Sequence, residues 1–234
     1  MSQQESSALI VMPAFNEAAN VAAIIHETQI AQPGCSILVV DDGSKDETVE
    51  VARRTGVTVL ELPFNLGVGG AMRAGFKFAR ESGFSAVVQI DADGQHDPRF
   101  ISDLIGKLDE FDIVIGARFA GEGEYRVSGP RKWAMAMLSW SLSRICDTHL
   151  TDTTSGFKAL GPRAIELFGE RYPAEYLGDT VEALVIARRN GLRVTQVPVA
   201  MRNRSGGQPS QSPVRAAMYL GRALIALLIG LSRR

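Results

Sequence analysis

The stretch "AVVQIDADGQHDP", residues 86–98, joins a short apolar run to three carboxylates. Its first five residues have the length and composition of a buried strand. Asp91 and Asp93 follow at the point where such a strand leaves the core, and Asp97 stands before a proline. An acid before a proline at the first helical position is a common N-cap. We therefore predict a strand, a turn that bears functional acids, and a helix that begins after Asp97.

Similar apolar runs occur along the rest of the chain, and helical spacing separates them. The runs are residues 8–12, 36–40, 57–62 and 112–117, and "RVTQVPVAM" at 193–201 adds a later one. Continuous apolar strands that alternate with helices indicate a mostly parallel sheet with helices on both faces. We predict this α/β fold, with helices at 18–30, 46–55, 69–82, 98–109, 131–145 and 180–191 and a turn-rich segment at 152–160.

Composition and charge limit the classes of protein that the chain can belong to. It has 234 residues, of which 45% are hydrophobic and 22% charged, which suits one large α/β domain. The net charge is −1, but the six arginines from Met201 onwards have no acidic neighbours, so that part is +6 and the rest −7. An acidic body argues against nucleic acid as a partner. Two cysteines without metal-binding spacing indicate a reducing compartment.

The basic part of the chain suggests contact with a membrane surface. We predict a catalytic domain at 1–201, a mobile loop at 202–213 and an amphipathic, membrane-proximal helix at 214–234. Arginines among leucines and isoleucines suit a helix that lies in the lipid interface. The alternative is a helix packed on the body or on a second subunit. The polar start "MSQQESS" predicts no signal peptide, and no apolar run reaches the ~18–20 residues that span a bilayer.

Two further motifs follow predicted strands. In "VVDDGSKDET", residues 39–48, Gly43 suits a tight turn, and Ser44 or Asp46 can cap the next helix. Asp41 and Asp42 repel each other unless a ligand group such as a ribose hydroxyl or a base N–H binds them. In "NLGVGGAMRAG", residues 65–75, Gly69 and Arg73 suit a phosphate-binding helix start, while tight packing of the helix at Gly75 is an equal alternative.

The two acids of the opening stretch suit a metal ion. Residues i and i+2 of an extended chain point the same way, so Asp91 and Asp93 can face one cation. Mg²⁺ takes oxygen ligands and bridges carboxylates to substrate phosphates, and Mn²⁺ suits the same ligands. Gln95 or His96 can add a ligand or an orienting group. Asp97 is expected to be structural.

Taken together, the motifs resemble those of the family 2 glycosyltransferases, which have the GT-A fold. The chain looks more narrowly like the dolichyl- or polyprenyl-phosphate sugar synthases. The resemblance runs from about Leu9 to Arg204. It rests on "VMPAFNE", "VVDDGSKDET", "NLGVGGAMRAG", "QIDADGQHDP", "GAR" at 116–118, "DTTSGFKAL" and "VEALVIARRNGLRVTQVPV", in that order.

The resemblance implies a role for most of the polar residues at the predicted strand ends. Base and ribose of a nucleotide would be bound by Pro13, Phe15, Glu17 and Asp42, and Mg²⁺ or Mn²⁺ on the diphosphate by Asp91, Asp93 and Gln95. Phosphates of donor or acceptor would contact Arg118, Arg131 and Arg204, and Ser155 and Gly156 would lie on the acceptor side.

The sequence departs from the family at the catalytic base. Many members have a Glu-Asp pair, whereas "YLGDTVEALV" at 176–185 has none. Glu182 fits the lipid-phosphate branch best, and Asp179 is its competitor. A lipid phosphate is already anionic at neutral pH, so a strong base is not required.

These residues predict an inverting, metal-dependent transfer of a hexose to a polyprenyl phosphate. The donor would be UDP-glucose or GDP-mannose. The enzyme would be cytoplasmic and peripherally attached to the inner face of the membrane, with a homo-oligomer through its last helix as a further possibility. Three alternatives stay open: extension of a cell-surface glycan at a sugar hydroxyl, nucleotidyl transfer, and a non-catalytic module that binds sugar nucleotides.

Overall fold

A computed structural model of the protein describes residues 8–118, 130–173 and 178–202. Its centre is a seven-stranded sheet with the strand order β3-β2-β1-β4-β6-β5-β7. Six strands run in one direction and β6 runs opposite to them. The strands are β1 Ala8–Ala14, β2 Ser36–Asp41, β3 Thr58–Glu61, β4 Ala86–Gln89, β5 Ile113–Arg118, β6 Lys158–Leu160 and β7 Val194–Val199.

Helices cover both faces of this sheet, as the alternation of apolar runs predicted. A single 3-10 turn at Pro98–Phe100 precedes α4. The helices are α1 Val21–Ala31, α2 Thr48–Arg54, α3 Gly67–Glu81, α4 Ile101–Ile105, α5 Pro130–Cys146, α6 Pro162–Arg171 and α7 Gly178–Arg189.

Strand residues alternate between two hydrophobic clusters, one on each face of the sheet. Leu9 and Val11 of β1 face the cluster formed with α3, α5, α6 and α7. Ile10 and Met12 face the cluster formed with α1, α2 and α4. This alternation follows from the two-residue period of a strand. Because both faces are covered, the central strands β1 and β4 carry no polar residue before their carboxyl ends.

Helix α3 packs unusually close to the sheet. A Cβ added at Gly75 would lie 2.6 Å from Cγ1 of Val11, a distance at which the helix would have to move. At Gly70 an added Cβ would lie 2.4 Å from Cβ of Leu66. Gly75 thus serves close packing of α3 on β1, which confirms that alternative, and Gly70 leaves room for Leu66 at the start of the same helix.

The second half of the chain differs from the prediction in two elements. The segment 152–160 was expected to be turn-rich, but its last three residues form β6, which joins β4 to β5. Helix α6 was not predicted at all, although Pro162 occupies its first turn. A three-residue strand has too little length to show a period, so only its two neighbours in the sheet stabilise it.

The predicted C-terminal elements lie outside the described residues. The loop at 202–213 is represented by Arg202 alone, and the helix at 214–234 not at all. Within the part of the chain that the structure describes, none of the helices has the length and apolar character needed to cross a bilayer.

Candidate active site

The loops after β1 and β2 are interlocked at the carboxyl edge of the sheet. The Asn16 N–H donates to Ser44 Oγ, and the Lys45 N–H donates to Asn16 Oδ1, each at 2.9 Å. Asn16 adopts a left-handed conformation, with φ of 55°, that this reciprocal pair stabilises. Asp46 accepts the Ala18 N–H at 3.2 Å and, with its other oxygen, the Thr48 N–H that begins α2. Ser44 therefore binds the neighbouring loop instead of capping α2. Asp46 accepts the N–H of the first helical residue, although the N-cap position belongs to Glu47, whose side chain makes no capping hydrogen bond.

Asp41, the last residue of β2, and the adjacent Asp42 have different hydrogen-bond partners. Both oxygens of Asp42 accept N–H groups at the start of α3, from Leu66 at 2.7 Å and from Gly67 at 2.8 Å. Burial raises the pKa of Asp42, these two N–H groups lower it, and the nearby charge of Asp41 raises it again. Asp42, to which the family resemblance gives a nucleotide contact, thus also anchors the N-terminus of α3.

Asp41 is the residue at this edge that the assignment of roles missed. Its Oδ2 accepts the Ser44 N–H at 3.0 Å. Its Oδ1 is buried and has no hydrogen-bond partner among the described residues. A buried acceptor without a partner is costly, which suggests that a ligand N–H or O–H completes it. The repulsion between adjacent acids was the available signal, but it does not show which acid is the free one.

Two exposed aromatic rings stand beside these acids. Phe15 follows β1 and is 43% exposed, and Phe64 follows β3 and is 62% exposed. The two strands flank β2, so the rings lie on either side of its carboxyl end. Exposed rings of this kind offer a stacking surface for a planar base. Phe15 was predicted as a nucleotide-binding residue, whereas Phe64 was not. Two further predicted residues lie at this edge: Pro13 is half-buried in β1, and Glu17 Oε2 accepts the Asn20 side-chain N–H at 2.9 Å.

Asp91 and Asp93 lie in a turn and not in an extended strand. Strand β4 ends at Gln89, and Gly94, with φ of 77°, bends the chain back. Asp93 Oδ1 accepts the Gln95 N–H at 3.0 Å, which closes the turn. The extended geometry from which the sequence argued that both carboxylates face one cation is therefore not present. Both side chains are nevertheless half-buried at the carboxyl end of β4.

The predicted acceptor-side segment packs directly against Asp91. A Cβ added at Gly156 would lie 2.8 Å from Asp91 Oδ2 and 3.2 Å from Oδ1. Ser155 is fully buried, and its Oγ accepts the Phe157 N–H at 3.2 Å. Gly156 is therefore part of the wall around the carboxylate, and Ser155 shapes the turn before β6.

The donor set at this turn fits a divalent cation that is shared with a substrate. Among the residues that the structure describes, no group of three or more His, Cys, Asp and Glu side chains can hold a metal ion. Two half-exposed carboxylates leave coordination positions for other oxygens. Mg²⁺ sites with few protein carboxylates are typically completed by phosphates and water. Asp91, Asp93 and the half-buried Gln95 are thus suited to a metal–diphosphate complex.

The turn is held in place by Asp97 and by the chain that follows β7. The Asp97 carboxylate accepts the Arg99 N–H at 3.0 Å, which confirms its predicted role as an N-cap. His96 forms an antiparallel bridge with Met201, and the Arg202 N–H donates to Gln95 O at 2.9 Å. Arg202 was not predicted to have a role here, because nothing in the sequence pairs residues so far apart.

The remaining predicted residues are placed as follows. Arg118 ends β5 and Arg131 lies in the first turn of α5; their side chains, and all of Arg204, lie outside the described part of the molecule. Gly69 is buried in the first turn of α3. Arg73 is exposed on α3 and donates to the Glu170 carbonyl oxygen of α6 at 3.3 Å, a contact directed at a helix and not at the acids.

The start of α7 is joined by a side-chain hydrogen bond to β6, whose first residue pairs with the last residue of β4. Lys158 of β6 pairs with Gln89 of β4, and its Nζ donates to Thr180 Oγ1 at 3.3 Å. Glu182 lies on the exposed side of this helix. Asp179 is in its first turn, and its side chain is outside the described set.

These features define an α/β domain with polar side chains gathered at the carboxyl ends of its strands, which is the edge where open α/β sheets bind their ligands. The chain belongs to glycosyl transferase family 2, whose family model matches residues 9–167. The family inferred from the motifs is therefore confirmed, and the protein is a glycosyltransferase.

Characterised relatives extend the similarity over most of the chain. An undecaprenyl-phosphate mannosyltransferase of Micrococcus luteus is 31% identical over 216 residues, 87% of each chain. A polyprenol monophosphomannose synthase of Mycolicibacterium smegmatis is 30% identical, over 90% of this chain and 84% of the other. Among solved structures, glucosyl-3-phosphoglycerate synthase of Mycobacterium tuberculosis with Mn²⁺, UDP-glucose and phosphoglyceric acid matches with a TM-score of 0.71 at 22% identity, over 96% and 79% of the two chains. This last match confirms the GT-A-like fold.

Proposed function

We propose that the protein transfers a hexose from a nucleotide-diphospho-sugar to the phosphate of a polyprenyl lipid, with inversion at the anomeric carbon. The observation that carries the proposal is the half-exposed Asp91–Asp93 turn at the end of β4, walled by Gly156 of the acceptor-side segment. The names of the two relatives that are about 30% identical, both acting on polyprenyl acceptors, support the acceptor class.

The nucleotide would bind across the ends of β1, β2 and β3. Phe15 and Phe64 offer ring faces to the base, and the unpartnered Oδ1 of Asp41 would accept an N–H or O–H of the nucleoside. Pro13 and Glu17 contribute the wall of the same edge. Asp42 supports this site through α3, and Gly69 and Arg73 belong to that helix.

The diphosphate would lie over the turn at residues 91–96, which we call the metal turn. Asp91 and Asp93, with Gln95, are the residues that would hold Mg²⁺ or Mn²⁺, and Gly156 leaves the space that the Asp91 carboxylate occupies. A divalent cation bound there would neutralise the negative charge that develops on the departing nucleoside diphosphate. Arg118, Arg131 and Arg204 are proposed to add charge-assisted hydrogen bonds to the phosphates of donor and acceptor.

The acceptor would approach from the side of β6 and α7. A phosphate oxygen of the lipid attacks the anomeric carbon as the bond from that carbon to the leaving diphosphate oxygen breaks. One displacement from the opposite face gives inversion. Since the attacking oxygen already carries negative charge, no proton has to be removed, and Glu182 or Asp179 would orient the acceptor instead of acting as a base.

The lipid acceptor implies that the enzyme works at a membrane surface. We propose peripheral association with the cytoplasmic face, through the basic, apolar part of the chain after Met201. Flotation with vesicles that contain anionic lipid, at low and high salt, tests this part separately from catalysis.

An acceptor and donor screen tests the reaction. UDP-glucose, GDP-mannose and UDP-N-acetylglucosamine are each incubated with a short polyprenyl phosphate and with Mn²⁺ or Mg²⁺, and the glycolipid is detected by mass spectrometry. We expect one donor to give product, EDTA to stop it, and D91N and D93N to lose most turnover while staying folded. D103N, an exposed acid of α4, is the matched control. Product with an oligosaccharide acceptor and none with the lipid would contradict the proposal.

A further inference from the structure

We propose that His96 is a positioning residue that sets the Asp91 carboxylate for the metal ion. The inference deepens the proposed function and rests on it, since it concerns the same metal turn. It is carried by the contacts of the two imidazole nitrogens, both of which face Asp91.

The first contact closes the turn through the main chain. The Asp91 N–H donates to Nδ1 of His96 at 3.0 Å. The ring therefore replaces the hydrogen-bond partner that the Asp91 N–H would have in a continuing strand. Residues 91 to 96 are joined into a small loop whose two ends are fixed relative to each other.

The second contact faces the side chain of the same residue. Because Nδ1 accepts a hydrogen bond, the neutral ring carries its proton on Nε2. Nε2 lies 3.8 Å from Asp91 Oδ2, so an N–H donor faces the carboxylate from beyond direct hydrogen-bond distance. Hydrogen-bonded partners behind a ligating carboxylate orient it, and their loss typically weakens metal binding by about 10–100-fold. Gln89 Nε2, at 3.5 Å from Asp91 Oδ1, is such a partner, and the His96 N–H acts on the other oxygen from a longer distance.

The ring itself is firmly held. His96 is 2% exposed, and its ring stacks on Phe157 with centroids 5.1 Å apart and planes 16° apart. Its main chain is bridged to Met201. Phe157 follows Gly156, which borders Asp91 Oδ2, so the acceptor-side segment supports both the carboxylate and the ring behind it. A histidine that served packing alone would not require both nitrogens to face one acidic residue.

Three substitutions separate packing from positioning. H96F keeps an aromatic ring on Phe157 and removes both nitrogens. H96N retains an acceptor near the position of Nδ1, and H96Q retains a donor near the position of Nε2. H26F, at an exposed histidine of α1, is the matched control for removal of an imidazole.

The measurement is Mn²⁺ affinity without turnover, by electron paramagnetic resonance in the presence of UDP and, in parallel, GDP. We expect H96F to bind Mn²⁺ at least about tenfold more weakly than the wild type. Its melting temperature and its metal-free nucleotide affinity should stay near those of the wild type. H96N and H96Q should each fall between the two, and H26F should match the wild type.

The outcomes distinguish the two levels of the proposal. If D91N weakens Mn²⁺ binding but H96F stays within twofold of the wild type, His96 is a packing residue and only this inference is overturned. If H96F does not fold, wild-type affinity in both H96N and H96Q overturns it equally. A wild type that binds no Mn²⁺ with either nucleotide, or a D91N that binds it normally, overturns the proposed metal site and this inference together.

Discussion

Asp97 and Arg202 form an ion pair between the turn after β4 and the chain that follows β7. Arg202 Nη2 lies 3.0 Å from Asp97 Oδ2, and Nη1 of the same guanidinium contacts Glu27 of α1. Arg99 binds the same carboxylate, with Nη2 at 2.6 Å from Oδ2 and Nε at 3.0 Å from Oδ1. The hydrogen bonds from Arg99, together with Arg202, lower the pKa of Asp97 to about 2 although its burial opposes this. The acid that caps the helix after the metal turn is thus also the anchor of the late segment.

The lowered pKa of Asp97 predicts a loss of stability in acid. The unfolded carboxyl has a pKa of about 3.9, so the folded state is favoured above that pH and loses this contribution as pH falls towards 2. The side chain is 3% exposed, and the shift corresponds to about 2 kcal/mol. Urea unfolding at pH 2 to 5 should show the stability difference between wild type and D97N shrinking by that amount.

Asn is a good N-cap, so D97N keeps the helix start and removes the charge. A difference between wild type and D97N that stays constant from pH 5 to pH 2 would contradict the assigned shift.

The two acidic partners of Arg202 should contribute unequally. Its contact with Asp97 is buried on the acidic side, whereas Glu27 is 35% exposed. Double-mutant cycles with R202Q are expected to give a coupling of about 1 kcal/mol or more with D97N. The coupling with E27Q should be below about 1 kcal/mol, as for surface pairs. Equal coupling energies would show that the burial of Asp97 does not strengthen its ion pair with Arg202.

A methyl group at Gly156 should disturb the metal site without straining the backbone. Gly156 is not among the positive-φ glycines, so the backbone is not strained in G156A, and the nearest atom to the added methyl group is Asp91 Oδ2 at 2.8 Å. We expect turnover to fall about tenfold or more, with a raised Mn²⁺ requirement, because the carboxylate must move. G161A is the control, since its added Cβ has contacts of 3.7 Å and 3.8 Å only. A G156A enzyme with a normal Mn²⁺ titration would show that Gly156 is not needed to leave space for the Asp91 carboxylate at the metal site.

Substitution of the two adjacent acids should separate anchoring from binding. D42N removes one of two acceptors for the α3 N–H groups, so we expect a loss of about 1–3 kcal/mol in unfolding free energy. D41N alters the residue with the unpartnered oxygen, so we expect weaker nucleotide binding and little change in stability. Calorimetric titration with UDP and GDP, beside urea unfolding, checks both. Weaker nucleotide binding in D42N and lower stability in D41N would assign the nucleotide contact to Asp42 and not to Asp41.

Much of the first half of the molecule was predictable because its signals are local. Apolar runs identified β1 to β5, and the pair Asp97–Pro98 identified the helix start, since caps depend on neighbouring residues. The second half was less predictable because β6 depends on partners in β4 and β5 that are distant in sequence.

The same distinction between local signals and long-range contacts applies to the residues of the site. The acids at the strand ends were recognised from their positions, yet the extended backbone expected from Asp91 to Asp93 is replaced by a turn at Gly94. The division of labour between Asp41 and Asp42 depends on where α3 starts, and the support from His96 and Arg202 depends on long-range contacts. Such contacts leave no period in the sequence.

The position of β6 also constrains the order in which the chain folds. Strand β5 pairs only with β6 and β7 in the described sheet, and both of these are later in the sequence. During synthesis, strands β1 to β4 can therefore assemble first. Until β6 is available, β5 has no strand to pair with and one edge of β4 remains unpaired. Pairing across such distances is slow, and the nascent chain exposes an unpaired edge until residue 160 emerges.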